Sequence, residues 1–282
     1  MLYPENIGSQ LSIDETSLSH GELYTILTNK AAKGKKGAIV AIIAGTKAEN
    51  IISVLKKIPE RARKKVTEIT LNMAGNMELI CKRCFPGATR VTDRFHVQKL
   101  ATEALQEMRI KYRWEALDTE NEAIERAKAT ETSFQPEILQ NGDTLKQLLA
   151  RSRYVLYKKP ADWTENQKAR AELLFERYPD LKTAYGLSMG LSLIFENTKD
   201  KVFGLANLAR WYEKVRQSGF KTFNTVARSI QNHYPTILNY FDNRSTNASA
   251  ESFNAKIKAF RSQFRGVKNV EFFLFRLTQL YA

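Results

Sequence analysis

The first ninety or so residues carry short apolar runs broken by polar, glycine-bearing stretches. "QLSIDET", "ELYTILTN" and "AIVAIIAG" are three such runs, separated by "SLSHG" and "KAAKGKKG". Runs of this length, bounded by Gly and charge, predict strands joined by turns. "TKAENIISVLKKI" then repeats apolar residues at Ile51, Ile52, Leu55 and Ile58, the spacing of one helix face. "VTEITLN" returns to strand, "MELICKRCF" to helix and "ATRVTD" to strand. The order β-β-β-α-β-α-β predicts an α/β fold with a mixed sheet, helices on its faces and parallel later strands.

From residue 94 the period changes. Val97, Leu100, Ala101, Ala104, Leu105 and Met108 follow the i, i+3, i+4, i+7 pattern of a helix. Helical patterns then dominate from about 97 to 245, with breaks at "SFQP", "NGD", "KKPADW", "RYPD", "QSGF" and "HYP" that divide the stretch into five to seven helices. Asp162 or Thr164 is placed to cap the helix starting near Glu165. The remainder reads as a polar loop, a helix capped by Ser or Asn, a Gly-containing turn and an apolar terminal helix.

Charge adds a partner to this outline. The 282 residues hold 44 Lys plus Arg against 30 Asp plus Glu, a formal net charge of +14. Such an excess attracts a polyanion over a broad face, nucleic acid first, with a ribosomal or anionic membrane surface as alternatives. No run reaches the roughly 18 to 20 apolar residues that span a bilayer, and "MLYPENIGSQ" lacks a basic segment followed by an apolar one, so a cytosolic protein is expected. From Arg244 to Arg276 seven Lys or Arg face two Glu, which makes either a phosphate-facing surface or a solvated helix face. Cys81 and Cys84 form a single CxxC in a helical stretch; with no second pair to complete a zinc site, structural thiols are expected.

Candidate chemistry falls at strand ends. "LSIDETS" puts Asp14 at the end of an apolar run, costly unless the carboxylate meets a cation or donors. The alternative is the start of a turn. Glu15 should point to the other face of the strand. "VTDRFHV" ends a second strand on Asp93, with His96 three residues on; a helix cap and a packed imidazole are the plainer readings. Glu251 lies on the late helix, sharing a face with Asn254 and Lys258. Trp163, Trp211, Tyr212 and His233 are aromatic or imidazole groups suited to stacking on a base, or to packing a core.

Taken together, "LSIDETSLSHGELYTILTN", "ITLNMAGNMELICKRCFPGATRVTDRFHVQKLATEAL" and "RSTNASAESFNAKIKAFRSQFRGVKN" resemble the DDE transposases of bacterial insertion sequences, specifically the ISL-three family. The resemblance extends over nearly the whole chain, and "FPGATRVTDRFHV" and "NASAESFNAKIK" are its most specific parts. It implies a ribonuclease-H-like sheet over residues 1–96, a large all-α insertion over 97–245 and the late catalytic helix within 246–282. Asp14 resembles the first catalytic carboxylate and Glu251 the third, while Asp93 and His96 resemble an accessory signature close to the active site. At the second position the family has aspartate between leucine and methionine, and this chain has Leu71, Asn72, Met73. Asp93 is an alternative second acid, but in a ribonuclease-H-like sheet the fourth strand lies beside the first, which favours position 72.

The resemblance also implies two Mg²⁺ or Mn²⁺ ions held by Asp14, residue 72 and Glu251. The amide of Asn72 brings an oxygen without the charge that bridges two cations, so catalysis is expected to be impaired, by engineering or by decay of this copy. The implied partners are double-stranded DNA at transposon ends and target. Arg244, Asn254, Lys256, Lys258, Arg261 and Arg265 are its candidate contacts, in a homo-oligomer on bacterial, nucleoid-associated DNA in the cytoplasm. The first strand starts near residue 10, where family members carry an N-terminal DNA-recognition region, so recognition is expected to reside in a separate or removed polypeptide. A non-catalytic DNA-binding derivative and a ribonuclease-H-like nuclease are the competing readings.

Overall fold

The computed structural model describes residues 1–17, 22–263 and 269–282. The turn expected at "SLSHG", the late Gly-containing turn, Arg265 and Lys268 lie outside the described residues. The chain forms two compact units, one of Met1–Val97 with His233–Ala282 and one of Gln98–Asn232.

The first unit is built on five strands: β1 (Gln10–Ser17), β2 (Leu23–Asn29), β3 (Ile39–Ala44), β4 (Glu68–Leu71) and β5 (Thr89–Thr92). They form one mixed sheet in the order β3-β2-β1-β4-β5. The first three strands run antiparallel as successive hairpins, whereas β4 pairs parallel with β1 and β5 parallel with β4. Parallel pairing needs crossover connections, and the chain supplies α1 (Ala48–Leu55) with the short α2 (Glu60–Arg63) before β4, and α3 (Gly75–Cys84) before β5.

Alternation along β1 divides the core between two faces. Leu11 and Ile13 are fully buried and pack with Ile51 and Leu55 of α1 and Ile80, Cys81 and Cys84 of α3. Each such aliphatic side chain contributes about 1.5 to 3 kcal/mol of burial. Cys81 and Cys84 are both buried free thiols, and burial pushes the Cys81 thiol up to about 12, which suits a packing role. A second cluster joins Ile26, Ile39 and Ile42 to Phe253 and Ile257 of α12 (Ala248–Gln263) and to Phe273, Leu274 and Leu277 of α13 (Val270–Tyr281). The Asn269 side chain caps α13 by accepting from Phe272 N. Ser12 and Asp14, on the opposite parity from Leu11 and Ile13, therefore belong to the face that α12 covers.

A polar network ties the approach to α12 onto β4. Glu68, buried to 3% exposure, accepts from Lys30 Nζ at 3.3 Å, Asn243 Nδ2 at 3.3 Å and Ser245 Oγ. Lys30 Nζ also donates to Thr70 Oγ1 at 2.9 Å. A carboxylate buried this deeply is tolerable because it is both paired and hydrogen-bonded.

Helix α4 (Arg94–Ala129) begins in the first unit and continues through the second, which adds α5 (Leu145–Val155), α6 (Glu165–Arg177), α7 (Pro179–Asn197), α8 (Lys201–Ser218) and α9 (Lys221–Asn232). Thr144 and Thr164 each form a capping box with the Gln three residues on. Thr164 rather than Asp162 thus caps α6. The sequence showed no break between α7 and α8. Asp200 makes one by accepting from Val202 N and Phe203 N, a cap with no Gly or Pro from Asn197 to Phe203.

The short α10 (Tyr234–Leu238) and α11 (Tyr240–Asn243) follow. They group with the sheet, not with the helical unit, although both fall within residues 97–245. Thr236 and Thr92 Oγ1 atoms are 2.7 Å apart, and Asn239 Nδ2 donates to Arg90 O at 2.9 Å, so α10 is fastened to β5. Among the described residues no helix is long and apolar enough to cross a membrane.

Candidate active site

The carboxyl-terminal ends of β1, β4 and β5 open a notch in the sheet. Pairing between β1 and β4 ends at Ser12 and Thr70, while β1 stays paired with β2 as far as Ser17. Asp14 therefore stands within a strand on its β2 side and beyond the last paired residue on its β4 side. Asn72 and Asp93 follow directly on β4 and β5. Asp93 N donates to Leu71 O at 3.0 Å, holding the two strand ends level.

Both oxygens of Asp14 are engaged. Oδ1 accepts from Glu15 N at 2.9 Å, and Oδ2 accepts from Asn254 Nδ2 of α12 at 2.8 Å. Glu15 turns to the other face, where its Oε1 accepts from Asn76 Nδ2 of α3 at 3.2 Å. Burial raises the Asp14 carboxyl; the Glu15 N–H and the nearby His96 oppose this, while the charges of Glu15 and Asp93 add to it.

Helix α12 carries Glu251 one turn before Asn254, so the contact of Asn254 with Asp14 brings Glu251 to the notch. The ligand atoms of Glu251, Asp93 and His96 all lie within 4.8 Å of one another. Asp93 is only 1% exposed. One of its oxygens accepts from Phe95 N at 3.4 Å and its backbone carbonyl accepts from His96 N at 3.1 Å, so it caps the start of α4 as well. Burial raises the Glu251 carboxyl, with Asp93 and Asp14 reinforcing that and His96 opposing it. Asp93 and His96 thus act on the carboxyls of both Asp14 and Glu251, although these residues come from the beginning, middle and end of the chain.

Asn72 is positioned differently. Its Oδ1 accepts from Ala74 N at 2.9 Å, a turn that leads into α3. Asp93 and His96, which the resemblance puts close to the active site, lie with Glu251 in one group of ligand atoms.

The expected DNA contacts are largely occupied within the chain. Asn254 is committed to Asp14, Lys256 Nζ donates to Gly34 O at 3.0 Å, and the Arg244 and Arg261 guanidinium groups lie over Tyr240 and Phe273 at 5.5 and 5.1 Å. Lys258 is exposed. Trp211 Nε1 donates to Leu187 O, Trp163 Nε1 donates to Val155 O, and Trp163 packs on Phe175 and Tyr185, so both indoles serve the helical core. Tyr212 is half-buried beside Trp211, and His233 Nδ1 is 3.9 Å from Glu78 Oε2. The role of Asn254 at Asp14 escaped the sequence; its position three residues after Glu251 was the available signal.

The carboxylates of this set suit a hard divalent cation. Among the described residues none of Asp14, Asp93 and Glu251 is salt-bridged to Lys or Arg. Asp93 Oδ2, His96 Nε2 and Glu251 Oε1 are each buried without a hydrogen-bond partner. Orphaned atoms of this kind are costly unless something positive or donating meets them.

Comparison with known proteins adds the family. A family model described as a transposase, that of the ISL-three DDE group, matches residues 11–277. The transposases for insertion sequence element IS1557 from two strains of Mycobacterium tuberculosis are each 29% identical over 184 residues, covering 64% of this chain and 40% of theirs. The aligned stretch is thus less than half the length of those relatives. The family match takes in Asp14, Asn72, Asp93, His96 and Glu251, and the chain belongs to the ISL-three family of DDE transposases.

Proposed function

We propose that this chain is the catalytic core of a DNA transposase that cleaves transposon-end phosphodiesters and joins them to target DNA. In this reading the sheet unit is a ribonuclease-H-like domain and the helical unit an insertion between β5 and the late catalytic helix. The observation that carries it is that Asp14 of β1, Asp93 at the end of β5, His96 of α4 and Glu251 of α12 come together, inside a chain matched by a transposase family.

Asp14 and Glu251 are the carboxylates that would hold Mg²⁺ or Mn²⁺, with residue 72 between them in chain order. When bound, such ions polarise the scissile phosphate and stabilise the entering and leaving oxygens. Asn254 holds Asp14 in place for this, and β4 sets residue 72 beside β1. Asn72 offers an amide oxygen already turned to Ala74 N and brings no negative charge, so this chain is impaired at the second position.

The test is Asn72→Asp. The aspartate form should cut element-end DNA in a Mg²⁺- or Mn²⁺-dependent way and the asparagine form far more slowly. Equal activity in both would remove residue 72 from the site. Asn72 also favours a second reading, a DNA-binding derivative that no longer cuts; inactivity of the aspartate form with intact DNA binding would select it. Cutting without strand joining would instead indicate a nuclease. On this reading the partner is double-stranded DNA at transposon ends and target, bound by a homo-oligomer that pairs two ends in the bacterial cytoplasm.

A further inference from the structure

The acids expected to hold metal are Asp14, residue 72 and Glu251, yet the ligand atoms that lie within 4.8 Å of one another among the described residues are those of Asp93, His96 and Glu251. We infer that these three residues form a divalent transition-metal site of their own, with Glu251 shared between it and Asp14, and with the His96 imidazole as a direct ligand.

Two independent observations carry this. The ligand atoms of all three side chains lie within 4.8 Å of one another. Ligand atoms around an ion with bonds of about 2.1 Å are about 3 Å apart when adjacent and about 4.2 Å when opposed, so atoms already within 4.8 Å of one another reach one shared ion when the side chains turn toward it. Second, each residue leaves one buried atom without a hydrogen-bond partner among the described residues: Oδ2 of Asp93, Nε2 of His96 and Oε1 of Glu251. Asp93 is 1% exposed, so water is a poor substitute there. A cation coordinated by these groups satisfies all three atoms and relieves the repulsion between the two carboxylates.

The sequence builds the site from rigid parts. Asp93 ends β5 and caps α4, with its carbonyl bound by His96 N and Val97 N. This fixes the Asp-x-x-His spacing across the first turn of a helix. Glu251 arrives on α12, which Phe253 and Ile257 anchor to the sheet. Three protein ligands leave coordination positions for water or a phosphate oxygen, the arrangement of a reactive site and not of a closed structural one. Imidazole shifts preference from Mg²⁺ toward ions that accept nitrogen. Asp93 also supplies, from the neighbouring strand, the negative charge that Asn72 withholds. The site stands on this geometry; its use in DNA chemistry rests on the function proposed above.

The test is pulsed electron spin resonance of Mn²⁺ bound to the unmutated chain without DNA, beside Mn²⁺ titration. Bound Mn²⁺ should show hyperfine coupling to an imidazole ¹⁴N. His96→Gln should abolish that coupling and weaken Mn²⁺ binding at least about tenfold, a loss that even outer-shell changes reach. Asp93→Asn should weaken binding comparably while keeping the ¹⁴N signal, and thermal melting confirms that both variants fold. Absence of ¹⁴N coupling in the unmutated chain, or unchanged affinity in folded His96→Gln, overturns the assignment. The transposase reading fails separately: ¹⁴N coupling in a chain whose Asn72→Asp form cuts no DNA supports the site alone, and Mg²⁺-dependent cutting without ¹⁴N coupling does the reverse.

Discussion

Asn254 shows how one amide fastens a late helix to the first strand. Its Nδ2 donates to Asp14 Oδ2 at 2.8 Å, bridging residues 240 apart in sequence. A hydrogen bond to a charged acceptor contributes about 1.5 kcal/mol or more, so Asn254→Ala should lower stability by about that amount, read from urea unfolding at neutral pH. It should also loosen Glu251, which rides one turn earlier on the same face. Asp14, Glu251, Asp93 and His96 were visible as acids and an imidazole in telling places, but Asn254 looked like a DNA contact. An amide is equally suited to a phosphate and to a carboxylate; only the approach of α12 to β1, across more than two hundred residues, decides between them. The closeness of Asp93 to Glu251 was hidden for the same reason. Strand order placed residue 72 beside Asp14, yet helix α12 delivers its acid to the end of β5.

At the scale of elements, what was legible was what is local. Short apolar runs bounded by polar residues marked all five strands, and helical spacing at 51–58 and from 97 onward marked α1, which ends at Leu55, and α4. Less legible were boundaries set by side-chain caps or distant packing: the break at Asp200, and the attachment of α10 to β5 through Thr92 and Thr236. The helical unit has an anchor of its own that periodicity does not reveal. Asp143, 1% exposed, precedes α5 and binds Arg151 of α5 and Arg170 of α6, the latter at 2.9 Å, and accepts from Asn141 Nδ2. Burial by itself raises this carboxyl, but the hydrogen bonds and charge of the two arginines, with Asn141, hold it below its ordinary 3.8. A depressed carboxyl stabilises the fold fully above its unfolded value, and that contribution is lost as pH falls through the folded one. Asp143→Asn should therefore lower stability by about 1.5 to 3 kcal/mol at pH 7, since it removes the charged acceptor of the Arg170 hydrogen bond, while Arg151, 55% exposed, falls back on water. It should also flatten the acid limb of a urea-unfolding series below pH 3.8.

Over the whole molecule the dominant quantity is the net charge of +14, and it acts collectively. Several late basic residues have partners inside the chain, Lys256 at Gly34 O and Arg261 over Phe273 among them. Such contacts hold a cation in place without neutralising it, because a carbonyl and an aromatic face carry no net charge. The positive field therefore survives these contacts, and affinity for duplex DNA should come chiefly from phosphates and released counterions. Binding measured without divalent metal should fall by about a thousandfold or more between roughly 50 and 200 mM salt, the behaviour of a protein that neutralises six or more phosphates. Exposed Lys258→Ala should weaken binding to all sequences alike and reduce the salt slope by about one. Asn72→Asp adds one negative charge in the notch, remote in kind from this field, and should leave that slope nearly unchanged while altering cleavage. A flat salt response would show instead that the basic excess serves another polyanion, or that the paired cations do not reach DNA.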